Sequence, residues 1–466
     1  MPSAKLNNLS ASLVLLNLVT LSDQELARLK YTLTAIQTDS LWTEWLDLVQ
    51  LNACESLIYL NLVKWNLEIP DSIQAQLKSV FDKVAKQNAL RNEEAKRIFS
   101  QLSSAHIPFV VLKGQALTEF LYNSPYYKKM NDVDFLVPKS SLDQLQKLYI
   151  RLNLECAASI GGRNYRKQEN FSHHWPPFFT RNLNCVLGTH WNLVTPLSKI
   201  KIQEQNLWQN TVPHSYLGIP CFRLNDLYFF FHLTVHLAYY KTGLKELCDP
   251  LNWYRLKHAN IDYQKFLDLV QQCHAYDPVY RNLYLMNCVF PEATLHKWIQ
   301  ALEPNVSSFV VQDTQFRCRE PYYVVRSRST QTSRIEKSYA LFSLSDMFYE
   351  KFYFLLKMWT HFLLPKQRDV IHMQSLDDLP GRFTLLLGYI KTPYLLSRVF
   401  AFDLGWKLHF LLIAKHHYDL LKSIAYFILG VFSSGRIVSI PQTLPQKIKT
   451  LNLPIDSIEQ IKDKLE

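Results

Sequence analysis

Asp132 and Asp134 carry the clearest chemical signal in the sequence. They stand in the run Asn131-Asp132-Val133-Asp134-Phe135-Leu136-Val137, which otherwise reads as a buried strand closed by Pro138. Side chains alternate across a strand, so carboxylates two positions apart share one face, a few ångströms from each other. Two like charges on an apolar strand raise each other's pKa and resist burial. A divalent cation removes that conflict. Mg²⁺ takes one or two carboxylates and completes its shell with waters and substrate phosphates, and Mn²⁺ accepts the same donors. Taken alone, the pair has a plainer explanation: a strand edge with both aspartates in solvent.

Upstream lies Leu112-Lys113-Gly114, where a short β-branched run (107–112) meets a glycine and the start of a helix (116–122). A glycine at that junction lets backbone N–H groups and a helix N-terminus approach a phosphate. Lys113, Lys128 and Lys129 add positive charge near the same place. The elements that must position these residues follow from the pattern around them. Strands are expected at 107–112, 133–137, 154–159 and 184–194, with a helix at 142–152 capped by Ser140 or Ser141. Alternating strands and helices over about 90 residues describe one compact α/β domain. On either side the apolar period is helical: a first amphipathic helix at 13–21, a long polar-rich helix through 85–102, and helices at 226–240 and 263–273. The N-terminal helices contain little that does chemistry. Residues 314–334 read as strand or loop, and the remainder from 338 as aromatic-rich helix.

These motifs resemble the nucleotidyltransferase-fold superfamily, and within it the poorly characterised bacterial branch called the uncharacterised nucleotidyltransferase family. That branch has a leucine-lysine-glycine-x-alanine-leucine turn, matched here by Leu112-Lys113-Gly114-Gln115-Ala116-Leu117. An aspartate-x-aspartate strand follows, matched by Asp132 and Asp134, and later a histidine-tryptophan strand, matched by His190-Trp191. His236 and Asp249 in the following helices are also similar. There are departures: Lys128 stands where the family has arginine, Asn131 where it has glycine, and Gly188 where a third carboxylate is expected. The resemblance implies an α+β, mainly helical protein with a small α/β core of mixed sheet. Its regions would be an N-terminal helical part (1–104), the core (105–198), a helical part framing the cleft (199–310) and a mostly helical C-terminal part (311–466). It implies Mg²⁺ on Asp132 and Asp134, and nucleotide contacts from Lys113, Gly114, Gln115 and Lys128. His190, on the same strand face as Gly188, is a candidate to take the acceptor's proton or to bond structurally. The implied reaction moves a nucleoside monophosphate from an NTP to an acceptor hydroxyl on a small molecule, sugar or protein. The alternative is a nucleotide-binding or scaffold protein whose catalysis is weakened or lost at Gly188.

Composition bounds these readings. Only 11 of 466 residues are glycine, against about 33 at an average usage of roughly 7%, and neither a P-loop nor a dinucleotide fingerprint is present. A net charge of +11 fits an anionic partner, but it is scattered without a basic run. Nucleic acid is not an expected partner, because no aromatic-basic stacking motif accompanies the charge. The eight cysteines form no C-x-x-C pair and read as small core residues of a reducing compartment. No apolar run reaches the roughly 18–20 residues a membrane span needs, so a soluble cytoplasmic protein is expected. His232 and His236 are four apart on a helix, yet their apolar neighbours make structural histidines the expectation. His173-His174 and His416-His417 are adjacent and point in different directions. Tyr239-Tyr240 and the aromatics of 352–362 read as bundle core, and 407–422 as a helix facing another helix or a membrane surface.

Overall fold

A computed structural model of the chain describes residues 8–156, 172–194, 200–236, 244–318, 348–364 and 382–404, with isolated positions such as Arg166 and Glu169. Two compact units emerge. The larger is built from Met1–Leu152, Asn184–Leu193 and Ile200–Arg328, and the smaller from Asn153–Leu183, Val194–Lys199 and Ser329–Glu466.

The larger unit begins with α1 (Asn8–Leu16), α2 (Asp23–Thr34), α3 (Asp39–Leu51), α4 (Glu55–Lys64) and α5 (Asp71–Ser104). Two expectations change here. Helix α1 is buried on every side from Leu9 onward rather than amphipathic, because α2, α3 and α4 pack around it. Its polar Ser12 is satisfied locally: the hydroxyl donates to the Leu9 carbonyl at 2.9 Å and accepts from the Trp45 indole at 3.0 Å. Helix α5 starts at Asp71, behind Pro70, well before the predicted residue 85. At 1.5 Å per residue it is about 50 Å long.

The sheet of this unit contains β1 (Val110–Val111), β2 (Val133–Leu136), β5 (Val186–His190), β6 (Thr211–Tyr216) and β7 (Ile219–Leu224), in the order β5-β2-β1-β7-β6. It is mixed: β1 runs antiparallel to β2 and parallel to β7, while β2 runs parallel to β5. The hairpin β6–β7 lies in a stretch expected to be helical. Its two-residue turn, Leu217-Gly218, has φ of 53° and 78°, the left-handed pair that a tight hairpin turn needs. Helix α6 (Lys113–Phe120) follows β1, and α7 (Leu142–Arg151) follows β2. The expected serine cap of α7 does not form. Ser141 is helical, makes no capping bond, and ends a 3₁₀ turn that starts after Pro138.

Register assigns the two faces. Phe135 and Thr189 point to one side, where Phe99 of α5 packs against Phe135 and the Tyr149 hydroxyl of α7 bonds that of Thr189 at 2.7 Å. Asp134, Gly188 and His190 belong to the opposite face. Beyond the sheet, α8 (Glu204–Gln209), α9 (Asp226–His236), α10 (Leu244–Lys257), α11 (Tyr263–Gln272), α12 (Tyr276–Val289), α13 (Ala293–Leu302) and α14 (Ser308–Arg317) complete the unit. Asn252 of α10 ties the far ends of this unit together. Its carboxamide accepts from the Val19 amide at 2.9 Å and donates to the Asn17 carbonyl at 2.8 Å.

The smaller unit contains the antiparallel pair β3 (Glu155–Cys156) and β4 (Phe178–Phe179), and helices α15 (Phe348–Leu363) and α16 (Arg382–Leu404), which pack together. On α15 Leu355 is buried, while Phe352, Tyr353 and Leu356 are exposed, so those three positions are not the bundle core that the aromatics suggested. Of the segment expected to be strand or loop, 314–317 are helical in α14. Cys318 follows in a turn, and 319–334, Tyr239-Tyr240, His416 and most of 407–422 lie outside the described residues.

Candidate functional site

Asp134 is buried on the face of β2 opposite Phe135. Its register partner on β5 is Gly188, and the two residues explain each other. A Cβ built at Gly188 would overlap Asp134 Oδ1. The carboxylate therefore lies across the glycine, and in that position Oδ1 accepts a hydrogen bond from His190 Nε2 at 3.0 Å. The other oxygen, Oδ2, pairs with the Lys113 ammonium at 3.0 Å. The site expected to hold a third carboxylate is thus filled by the carboxylate of Asp134 itself.

The electrostatics follow from this geometry. The Asp134 side chain is only 11% exposed, and burial pushes its pKa up. The Lys113 ammonium and the His190 hydrogen bond outweigh burial and hold the carboxyl well below the usual carboxylate range. Burial has the opposite effect on His190. It lowers the imidazole's pKa against the pull of Asp134, so the ring is neutral at pH 7 and Nε2 carries its proton. Lys113 reaches Asp134 from an uncommon backbone conformation. Its φ is 46°, in the left-handed region, at the first position of α6. The strained residue in the turn is therefore the lysine rather than the glycine, at a cost of about 1–3 kcal/mol.

The other predicted residues have distinct placements. Gln115 is buried and its amide donates to the Asp132 carbonyl at 2.7 Å, so it fixes the entry to β2. A Cβ at Gly114 would meet Met130 Sδ at 3.3 Å and Lys128 Cε at 3.6 Å; the glycine admits these two side chains against the turn. Lys128 itself turns away from the aspartate pair. Its ammonium pairs with Asp249 on α10 and lies 5.0 Å from the Tyr127 ring centroid, while the Tyr122 hydroxyl donates to the second Asp249 oxygen at 2.6 Å. Asp132 precedes β2, and its charge acts on both His190 and Arg91.

Two further residues enter, the first passed over in sequence reasoning. Arg91 is on α5, in the region expected to contain little chemistry. Its Nε is shut off from solvent without a hydrogen-bond partner. His232 on α9 is 1% exposed, and neither ring nitrogen has a partner. Burial, reinforced by Lys113 and His190, takes its pKa down to about 3, so it is neutral near the cluster. It is the packed histidine that its apolar neighbours led one to expect, here without a hydrogen bond at either nitrogen. Sequence offered one signal for it, the apolar run Phe229-Phe230-Phe231 that forces burial.

Among the described residues no three His, Cys, Asp or Glu side chains gather to hold a metal. Asp132 and Asp134, two positions apart, are the kind of donors that a hard cation takes when it completes its shell with water and phosphate oxygens. They do not fit a closed protein cage. A cation on Asp134 would take the place of the Lys113 ammonium at Oδ2. A separate cavity of about 350 Å³, lined by Lys201, Asn206, Tyr228, Gln272 and His274 among others, includes none of these residues. Six of the eight cysteines are buried and all are free, as expected of core residues. No described helix is long and apolar enough to cross a membrane.

The sequence model described as "uncharacterised nucleotidyltransferase" matches residues 38–291, more than half of the chain. The match begins at α3, so it includes α5 and Arg91 as well as the sheet. No curated protein and no solved structure matches the chain.

Proposed function

The chain belongs to the uncharacterised nucleotidyltransferase family, and from that premise we propose that it transfers a nucleoside monophosphate from an NTP to an acceptor hydroxyl, with Mg²⁺ bound at Asp132 and Asp134. The observation that carries this reading is Asp134, a buried carboxylate kept ionised on the strand face that opens toward Lys113 and His190. When bound, the cation would neutralise charge on the phosphates and stabilise the leaving pyrophosphate. The acceptor oxygen forms a bond to the α-phosphorus, the bond from that phosphorus to the bridging oxygen breaks, and pyrophosphate departs. The hydroxyl proton leaves to solvent, since Gly188 supplies no carboxylate to collect it.

Within this scheme the chain's residues work by placement. His190 donates to Asp134 Oδ1 and fixes the orientation of the carboxylate over Gly188. Lys113 holds Oδ2 until the loaded nucleotide arrives, and its ammonium is then positioned for a phosphate oxygen. Gln115 secures the backbone of Asp132.

One observation favours a second reading. Both oxygens of Asp134 are already engaged, and position 188 carries no acid, as in a nucleotide-binding protein without transfer. Incubation of the full chain with Mg²⁺ and each α-labelled NTP separates the two. The first reading expects label on an added acceptor, or on the chain itself, together with pyrophosphate release that Asp132→Asn abolishes. Nucleotide binding without pyrophosphate from any acceptor would sink it in favour of the second.

A further inference from the structure

The turn that carries Lys113 and Gly114 has little support of its own. Lys113 is held at φ 46°, a conformation that persists only where its surroundings over-determine it. Helix α6 starts behind Leu112, which makes no side-chain capping bond, and its first turn carries no acid to favour the helix N-terminus. The backbone gives one anchor, the Leu112 amide on the Asp134 carbonyl at 3.0 Å, and Gln115 gives another at the Asp132 carbonyl. Two further contacts reach the turn from the loop before β2, and both lead to one residue on α10.

That residue is Asp249, which is buried. Its two oxygens are bound separately: the Tyr122 hydroxyl donates to Oδ1 at 2.6 Å, and the Lys128 ammonium pairs with Oδ2. The Tyr122 ring stacks on that of Tyr127, with centroids 3.8 Å apart and planes 11° from parallel. The Tyr127 hydroxyl in turn donates to the Gly114 carbonyl at 3.3 Å. From the other oxygen, Lys128 runs its stem past the turn, with Cε 3.6 Å from where a Cβ of Gly114 would be. Both routes from Asp249 therefore end at Gly114, next to the lysine that holds Asp134. Asn252 fixes the origin of these routes: its amide nitrogen donates to the Tyr122 hydroxyl at 3.4 Å and to the Asn17 carbonyl at 2.8 Å. A buried ion pair contributes little net stability over apolar packing of the same volume, so stability alone is a poor account of Asp249. What the pair does supply is a fixed place for the turn.

We propose that Asp249 is a positioning residue of the candidate site. Through Lys128 and the Tyr122–Tyr127 stack it holds the Lys113-Gly114 turn in the conformation that presents the Lys113 ammonium to Asp134. This rests on the nucleotidyltransferase reading above, in which that ammonium also meets a phosphate oxygen, and adds to it a group on the helices beyond the sheet. Asp249 acts through the turn alone.

Two measurements on the full chain test it. Hydrogen exchange read by mass spectrometry follows the turn whether or not the chain transfers nucleotide, and pyrophosphate release with Mg²⁺ and each NTP follows its use. Asp249→Asn removes the charge at nearly constant shape, and Tyr127→Phe keeps the stacked ring and removes only the bond to Gly114. Each is expected to speed exchange in peptides spanning 112–117 by about tenfold, while peptides of the β6–β7 hairpin stay within about twofold of wild type. Each should lower kcat by about tenfold and leave KM for the NTP within about threefold, because the groups that meet the nucleotide remain and only their placement loosens. The double variant should lose no more than the larger single loss, although Asp249 and Tyr127 share no hydrogen bond. Asp82→Asn, which breaks an exposed ion pair on α5, leaves both measurements unchanged. If Asp249→Asn does not fold, Tyr122→Phe, which removes the Oδ1 bond alone, takes its place. Wild-type exchange at 112–117 overturns the proposal, and so does a rise spread evenly over the larger unit, since Asp249 would then only stabilise the fold. Losses that multiply in the double variant, or a loss confined to KM, overturn it as well. Absence of pyrophosphate release from the wild type with every NTP and acceptor overturns the functional reading alone, and the exchange result then decides the proposal.

Discussion

Around Asp134 the charges are matched at 3.0 Å by Lys113 and His190, whereas Arg91, on α5, bonds the neutral Asn88 carboxamide and meets no acid among the described residues. The first region has spent its electrostatics on internal order. The second has not. Breaking a buried ion pair leaves an uncompensated charge and costs stability, whereas removing an unmatched cation costs little. The contrast separates charges whose removal leaves a buried partner uncompensated from one whose removal does not.

The largest effect is expected at Asp134. Asp134→Asn leaves Lys113 and His190 facing a neutral group, and should abolish pyrophosphate release and cost about 3 kcal/mol of stability in urea titrations. Next is Gly188→Ala. The added methyl must push the carboxylate away from His190, at about 1–3 kcal/mol, with a similar loss of activity. Gly188→Glu should fare no better, although it supplies the third carboxylate that the resemblance implies; recovered activity there would show that Asp134 can vacate the space. Arg91→Gln, which breaks no ion pair among the described residues, should change the melting temperature little, the inverse of Gly188→Ala.

His232 gives a smaller and opposite effect. His232→Phe removes two unpartnered buried nitrogens, a gain of about 1 kcal/mol at pH 7.5 that the larger ring partly offsets, so a small net stabilisation is expected. Acidification should act in two stages. For His190 and His232 the folded pKa lies below the unfolded value near 6.5, so their contribution is complete above that pH and is lost as the pH falls. Asp134, whose folded pKa is also depressed, contributes fully above about pH 4 and loses its share below it. Urea midpoints against pH should show the upper stage reduced in His232→Phe and the lower one reduced in Asp134→Asn.

The local features of the site were readable from sequence. Asp132 and Asp134, the strand that carries the second of them and the Lys113-Gly114 turn declare themselves by alternation and by one glycine. What could not be read was pairing between distant segments. Gly188 looked like a missing acid because the register of β5 against β2, which sets it opposite Asp134, has no local signature. Arg91 looked like one more polar residue on a long helix, since the amphipathic period shows a solvated face and not the loop that Asn88 draws over it. The β6–β7 hairpin was missed for another reason: Pro213 and Pro220 weaken its strands, and its turn relies on Leu217 as well as Gly218 at positive φ.

The bonds of Asn252 to Asn17 and Val19 set a schedule for synthesis. Helix α1 leaves the ribosome more than 230 residues before the side chain that secures the turn behind it. At roughly 5–20 residues per second, the nascent chain waits on the order of ten to fifty seconds with that end unlatched. Over the same interval the apolar surface of α1 has only its neighbours α2 to α4 for cover, and Lys128 must wait for Asp249. The site is therefore complete only when α10 emerges, so a stalled or truncated chain ending before it would carry both aspartates without the latch.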